Sequence, residues 1–229
     1  MALTWLHKKN MQQGVTLIEM IVVVAIIAMV SSVIIFNYSD FSSNVSLRNL
    51  TQDVALNIRR AQTYATSVRP IEALGGQSSR NFSGYGVSFG VGEYASSPAD
   101  PMQKQFVLFA DIPEYTGATP DKQYQEGQEC GNPLPNSECI ESIGINTADK
   151  IVAICTSNTP GYDLASDPTG TTCQATGQVD ITFIRPNLDA YIFDRQANRD
   201  SSFAKIVFVS AKGLRHAVTV WNTGQISVQ

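Results

Sequence analysis

Few residues of this 229-residue chain are of a type that does covalent or metal chemistry: four cysteines, two histidines and one acid set inside an apolar run. Cys130, Cys139, Cys155 and Cys173 form no C-x-x-C pair, and His216 is the only histidine after position 7. Structural zinc needs four such ligands at close spacing, so no metal site and no cofactor are expected. Nucleophile elbows and phosphate loops are missing too, although Ser, Asp and His are all present. Gly86, Gly90 and Gly92 fall inside a strand-like pattern and read as close backbone packing. Asp163 and Asp167 flank a turn that could take Ca²⁺, but a solvated turn is the favoured reading. The chain is not expected to be an enzyme.

The acid in the apolar run is Glu19. Residues 15–36 contain only four that are not apolar: Thr16, Glu19, Ser31 and Ser32. As a helix they would be about 33 Å long, enough for a bilayer core of about 30 Å. Lys8 and Lys9 precede the run and no basic residue follows until Arg48, which puts the amino terminus in the cytoplasm. A secretory signal peptide would have a shorter apolar core and an A-x-A-like cleavage site; here the run is longer and no such site follows. A carboxylate at the bilayer centre costs about 2.5–3.5 kcal/mol, and near the interface it can escape by snorkelling. A cut between Gly14 and Val15 would create an α-amino group four residues away, able to pair with Glu19 of the same or a neighbouring copy. A partner that removes an unpaired charge from lipid would then drive assembly.

Gly14-Val15-Thr16-Leu17-Ile18-Glu19, after Lys8-Lys9 and before an unbroken apolar run, resembles the class III signal of type IV prepilins and pseudopilins. That resemblance implies cleavage after Gly14 by a prepilin peptidase, N-methylation of Val15 and a role for Glu19 in subunit docking. The partners it implies are the peptidase, other pilin or pseudopilin subunits, an inner-membrane assembly platform and, before assembly, membrane lipid. Many pilins interrupt this span with Pro or Gly; here neither occurs between Val15 and Arg69.

The elements that would carry these residues follow from periodicity. Leu47, Leu50, Val54, Ile58, Ala61, Ala65 and Val68 recur at helical spacing, and Arg69-Pro70 stops the pattern. One helix over residues 15–68 would be about 81 Å long; two helices hinged at 37–44 are the other possibility. Residues 71–81 read as a loop and 112–149 as a long irregular insertion. Strand-like runs occupy 85–91, 106–109, 151–155, 179–184, 191–193, 206–209, 217–221 and 226–228, with Asn222-Thr223-Gly224 a tight turn. The expected fold is therefore α+β and pilin-like, a long helix packed on an antiparallel sheet. Its parts are a cytoplasmic leader (1–14), a spanning half-helix (15–36), an amphipathic half-helix (37–69) and an extracytoplasmic β-rich domain (70–229). Tyr85-Gly86-Val87-Ser88-Phe89, Asp180-Ile181-Thr182-Phe183 and the terminal run from Thr219 to Val228 are similar to the soluble domain of GspH/FimT-type minor pseudopilins.

All four cysteines follow the span, so an oxidising compartment is expected. Three pairings are possible. The local pairs Cys130–Cys139 and Cys155–Cys173 are favoured because each would tether its own loop, for about 2–4 kcal/mol apiece. Hydrophobic residues make up 43% and charged ones 16%, with a net charge of −4, so global attraction to nucleic acid is not expected. Some FimT-like minor pilins bind DNA through a basic carboxyl-terminal segment, of which Lys212-Gly213-Leu214-Arg215-His216 is a faint analogue; a solvated hairpin is favoured. The expected function is a structural minor subunit of a type IV pilus or type II secretion-like filament; a DNA-binding minor pilin for DNA uptake and a major pilin subunit are the alternatives.

Overall fold

The computed structural model describes residues 14–67, 84–91, 101–111, 121–125, 130, 138–175, 177–184 and 189–229, apart from the side chains at 33, 36, 37, 39, 101 and 102. Most of the expected leader, the stop at Arg69-Pro70, the loop at 71–81, Gly92 and much of 112–149 lie outside the described residues. A single helix, α1, runs over Leu17–Thr66, 50 residues, without a break at 37–44. It starts two residues later than expected because Thr16 serves as its cap. The chain divides into two compact units, Met1–Ser42 and Ser43–Gln229.

Within the second unit, Leu47, Val54, Ile58, Ala61 and Ala65 are buried on one face of α1, with Leu50 and Tyr64 packed at its margin. Full burial of one Leu, Val or Ile is worth about 1.5–3 kcal/mol, so the stripe is enough to dock the helix. Polar ties fix its register: the Ser46 hydroxyl donates to Asp149 Oδ2 across 2.7 Å, and Arg60 Nη1 to Glu141 Oε2 across 2.7 Å.

The strands are β1 (Gly84–Val91), β2 (Gln105–Asp111), β3 (Cys139–Gly144), β4 (Lys150–Thr156), β5 (Gly177–Ile184), β6 (Ala190–Asp194), β7 (Arg199–Ser201), β8 (Phe203–Val209), β9 (Arg215–Trp221) and β10 (Ile226–Val228). Every pairing is antiparallel. The single sheet expected from sequence is in fact two: six strands ordered β3-β2-β1-β5-β6-β7, and four ordered β10-β9-β8-β4. The chain crosses between the sheets from β3 to β4, from β4 back to β5, and again at Ser202. There the Ser202 N–H donates to Ser157 Oγ and the Ser157 N–H to Ser201 Oγ, each across 3.0 Å. One face of each sheet joins α1 in a common core that includes Val87, Phe89, Ile154, Ile181, Ile206 and Val218.

Two strands were not anticipated. β3 falls inside the supposed irregular insertion. Phe109 faces Cys139 while Leu108 faces Glu141, leaving Ile140 as a bulge; the extra residue breaks the two-residue alternation that marks a strand. β7 is three polar residues that pair with β6.

Strand β1 lies between β2 and β5 and is buried along its whole length. Its larger residues Tyr85, Val87, Phe89 and Val91 face the common core. On its other face Gly86 meets Phe109: a Cβ there would stand 2.5 Å from Phe109 Cζ and 2.7 Å from the Ile181 carbonyl oxygen. The expectation of close packing holds at this glycine.

Candidate functional site

Gly14, Val15 and Glu19 are open to solvent in the isolated chain. A Cβ added at Gly14 would meet nothing within 4 Å, so no packing inside this chain requires a small residue there. The Thr16 hydroxyl accepts the N–H of Glu19 across 3.3 Å, and the Thr16 carbonyl accepts the N–H of Met20 across 3.2 Å. Thr16-Leu17-Ile18-Glu19 thus has the order of a capping box, with Glu19 in the first turn, where the unpaired N–H groups favour an anion.

Beyond Glu19 the helix has no polar face until Ser31. The described large apolar residues from Val15 to Ile35 are 45–77% exposed. A helix that is apolar all round is stable only when something covers it, a protein core or a membrane. Among the described residues no helix is long and apolar enough to cross a membrane.

Residues 9–35 match the family model of the prokaryotic N-terminal methylation motif. This is the type IV pilin-like signal; it implies processing by a prepilin peptidase, anchoring in a membrane before assembly, and assembly with other pilin subunits. The match includes Gly14, Val15 and Glu19 and stops short of the β-rich unit. No curated protein and no solved structure matches the chain.

The remaining expected site residues lie in the second unit. Cys130 is bonded to Cys139 and Cys155 to Cys173. Cys155 and Cys173 are buried with Ala153, Val207 and Ala217 on the outer face of the four-stranded sheet. Lys212 lies in the turn between β8 and β9, and Arg215 begins β9. Arg215 Nη1 donates to the carbonyls of Gly170 and Thr171, across 3.1 and 3.2 Å, so its guanidinium is committed to the chain's own loop.

Asp167 is no solvated turn residue either. It is buried and accepts the N–H groups of Thr171 (2.7 Å), Thr172 (2.8 Å) and Cys173 (3.2 Å) and the Thr172 hydroxyl (2.7 Å). Burial pushes its carboxyl up, but these bonds and the nearby Lys205 charge outweigh it and hold the group below its usual value. Lys205 is fully buried, donates to the carbonyls of Asp167 and Pro168, and is shifted down by burial.

Sequence reasoning missed two groups of ionisable residues. In the first, fully buried Asp180 pairs with Arg195 Nε across 2.6 Å and accepts the Tyr124 N–H across 3.3 Å, while Arg195 also donates to the Tyr124 carbonyl. With Tyr124 stacked at an angle on Phe109, this fixes segment 121–125 to the outer face of the six-stranded sheet. In the second, Asp111, Asp121 and Glu138 converge at the end of β2. Burial, then the Glu138 and Asp121 charges, push the Asp111 carboxyl up to about 7. No local spacing could reveal either group, because strand pairing and loop docking bring the members together.

Proposed function

We propose that this chain is a structural, non-catalytic minor pilin or pseudopilin of a type IV pilus or type II secretion-like filament. The observation that carries this reading is the methylation motif, whose acid, Glu19, stands in the first turn of a helix that is apolar all round. Residues 15–36 anchor the precursor in the inner membrane with its amino terminus in the cytoplasm and the β-rich unit outside. A prepilin peptidase cuts after Gly14, and the new amine at Val15 is methylated. In the filament the exposed apolar side chains of the helix pack against those of neighbouring subunits. The Val15 amine neutralises a Glu19 carboxylate, which would otherwise be an unpaired charge in an apolar surround. The bonded cysteines support an oxidising compartment for the second unit.

The finer reading, a GspH/FimT-like minor subunit, draws on the segments that form β1, β5 and the β9–β10 hairpin, together with the two antiparallel sheets. Mass spectrometry of the protein from cells with active peptidase tests the whole reading. A chain beginning with methylated Val15 is expected, and one still beginning at Met1 would refute it.

A further inference from the structure

Three carboxylates meet beside the end of β2. Asp111 closes that strand, Asp121 opens segment 121–125, and Glu138 stands immediately before β3; one oxygen from each lies within 4.8 Å of the other two. Asp111 and Glu138 are each 2% exposed, whereas Asp121 is open to solvent. Acids often gather without holding anything, and what distinguishes this group is a buried atom of Asp111. Its Oδ2 accepts the Lys122 N–H across 3.2 Å, but Oδ1 is buried with no hydrogen-bond partner. A carboxylate oxygen out of water and without a donor is costly, and native folds rarely tolerate one without an ion or water to serve it. Asp167, equally buried, has both oxygens served by protein donors. Asp180 also leaves one oxygen unserved, but it has the Arg195 guanidinium as counter-ion. The ammonium of Lys122, the cation adjoining Asp121 in sequence, is turned instead to the ring of Tyr191, 3.6 Å from its centroid.

We propose that Asp111, Asp121 and Glu138 form a Ca²⁺ site that fastens segment 121–125 to the six-stranded sheet. The donors are all carboxylate oxygens, the ligand type of hard cations; no imidazole or thiolate belongs to the group, since neighbouring Cys139 is in a disulfide. Three protein carboxylates suit Ca²⁺, which takes six to eight oxygens at about 2.3–2.6 Å in flexible geometry, better than Mg²⁺, which keeps several waters and uses one or two carboxylates. Exposed Asp121 leaves one side for the waters that complete six to eight ligands. The framework is already tied in place: Glu138 Oε2 accepts the Gln125 N–H across 2.8 Å, and the Glu138 carbonyl accepts the Ala110 N–H across 2.8 Å. The Thr182 hydroxyl donates to the Lys122 carbonyl, also across 2.8 Å. Ion binding therefore needs little rearrangement and links the stability of this face to the Ca²⁺ concentration.

The test uses the full-length protein in detergent at pH 7.5, stripped with EDTA, titrated calorimetrically with CaCl₂ and melted with and without it. One Ca²⁺ per chain should bind saturably, with Kd at or below about 1 mM, and raise the melting temperature. Asp121→Asn, at an exposed position, should weaken binding by about tenfold or more. Asp111→Asn should abolish binding and, in EDTA, melt no lower than the parent, because it removes one of three repelling charges. If Asp111→Asn does not fold, Asp121→Asn alone decides. The proposal is overturned if no saturable binding occurs up to about 10 mM, or if Asp121→Asn binds like the parent. Equal protection by Mg²⁺ or by NaCl of matched ionic strength would also overturn it, as would a Ca²⁺ effect that survives Asp111→Asn.

Discussion

Thr16 and Glu19 are joined through the first turn of α1, the hydroxyl of one accepting the N–H of the other across 3.3 Å. The residue that caps the helix is thus the residue that fixes where the Glu19 carboxylate begins its path, four positions after the exposed Val15. Cap and charge are separable by substitution, and they make different predictions.

Replacing Thr16 with Ala removes the acceptor and should cost the helix start about 1 kcal/mol, seen as faster hydrogen exchange at the Glu19 amide in detergent. Glu19→Val keeps the cap and its amide protection but removes the carboxylate. Such a chain should still be processed after Gly14 yet fail to enter filaments; normal incorporation would sink the role given to Glu19.

Gly86→Ala places a methyl against both the Phe109 ring and the Ile181 carbonyl. A ring can yield, but a carbonyl in a paired strand cannot, so the substitution should destabilise the second unit by about 1–3 kcal/mol. Adding Phe109→Leu should recover only part of the loss. Urea midpoints of the two variants measure this, and an unchanged midpoint for Gly86→Ala would contradict the close approach.

Arg195→Met leaves Asp180 as a fully buried carboxylate without its counter-ion. Burial already holds the Asp180 carboxyl above its usual value despite Arg195. The loss should be about 3 kcal/mol, and a second change, Asp180→Asn, should restore much of it. A double-mutant cycle reads the coupling directly; additive effects would argue that the pair is incidental.

Acid stability should depend on Asp167. Its folded carboxyl is held below the usual value, so between the folded and unfolded values the unfolded chain binds more protons. The stabilisation is present above about pH 4 and is lost as pH falls through the folded value. Unfolding free energies from pH 6 down to pH 2.5 should fall more steeply for the parent than for Asp167→Asn. Parallel curves would show that the carboxylate contributes nothing.

Wherever a feature depends on neighbours in sequence, the amino-acid order alone was sufficient. The apolar run with its single acid, the stripe from Leu47 to Ala65 and the eight stronger strands follow from spacing, because helices and buried strands repeat over a few residues. The bulge at Ile140 hid β3, since one extra residue cancels the alternation by which a strand is recognised. Three-residue β7 and the change of sheet at Ser202 leave no periodic trace, because partners recruit them. The fates of charged groups were decided entirely by the fold. Local sequence suggests a solvated hairpin at Arg215 and a solvated turn at Asp167, yet each is spent on the same loop, Arg215 on the carbonyls of Gly170 and Thr171 and Asp167 on the N–H groups of Thr171, Thr172 and Cys173. Asp111, Asp121 and Glu138 lie up to 27 positions apart and converge only when β2, β3 and segment 121–125 pack together. Periodicity is local and survives in the order of residues, whereas electrostatic environment is a sum over distant atoms and exists only once the chain has closed on itself.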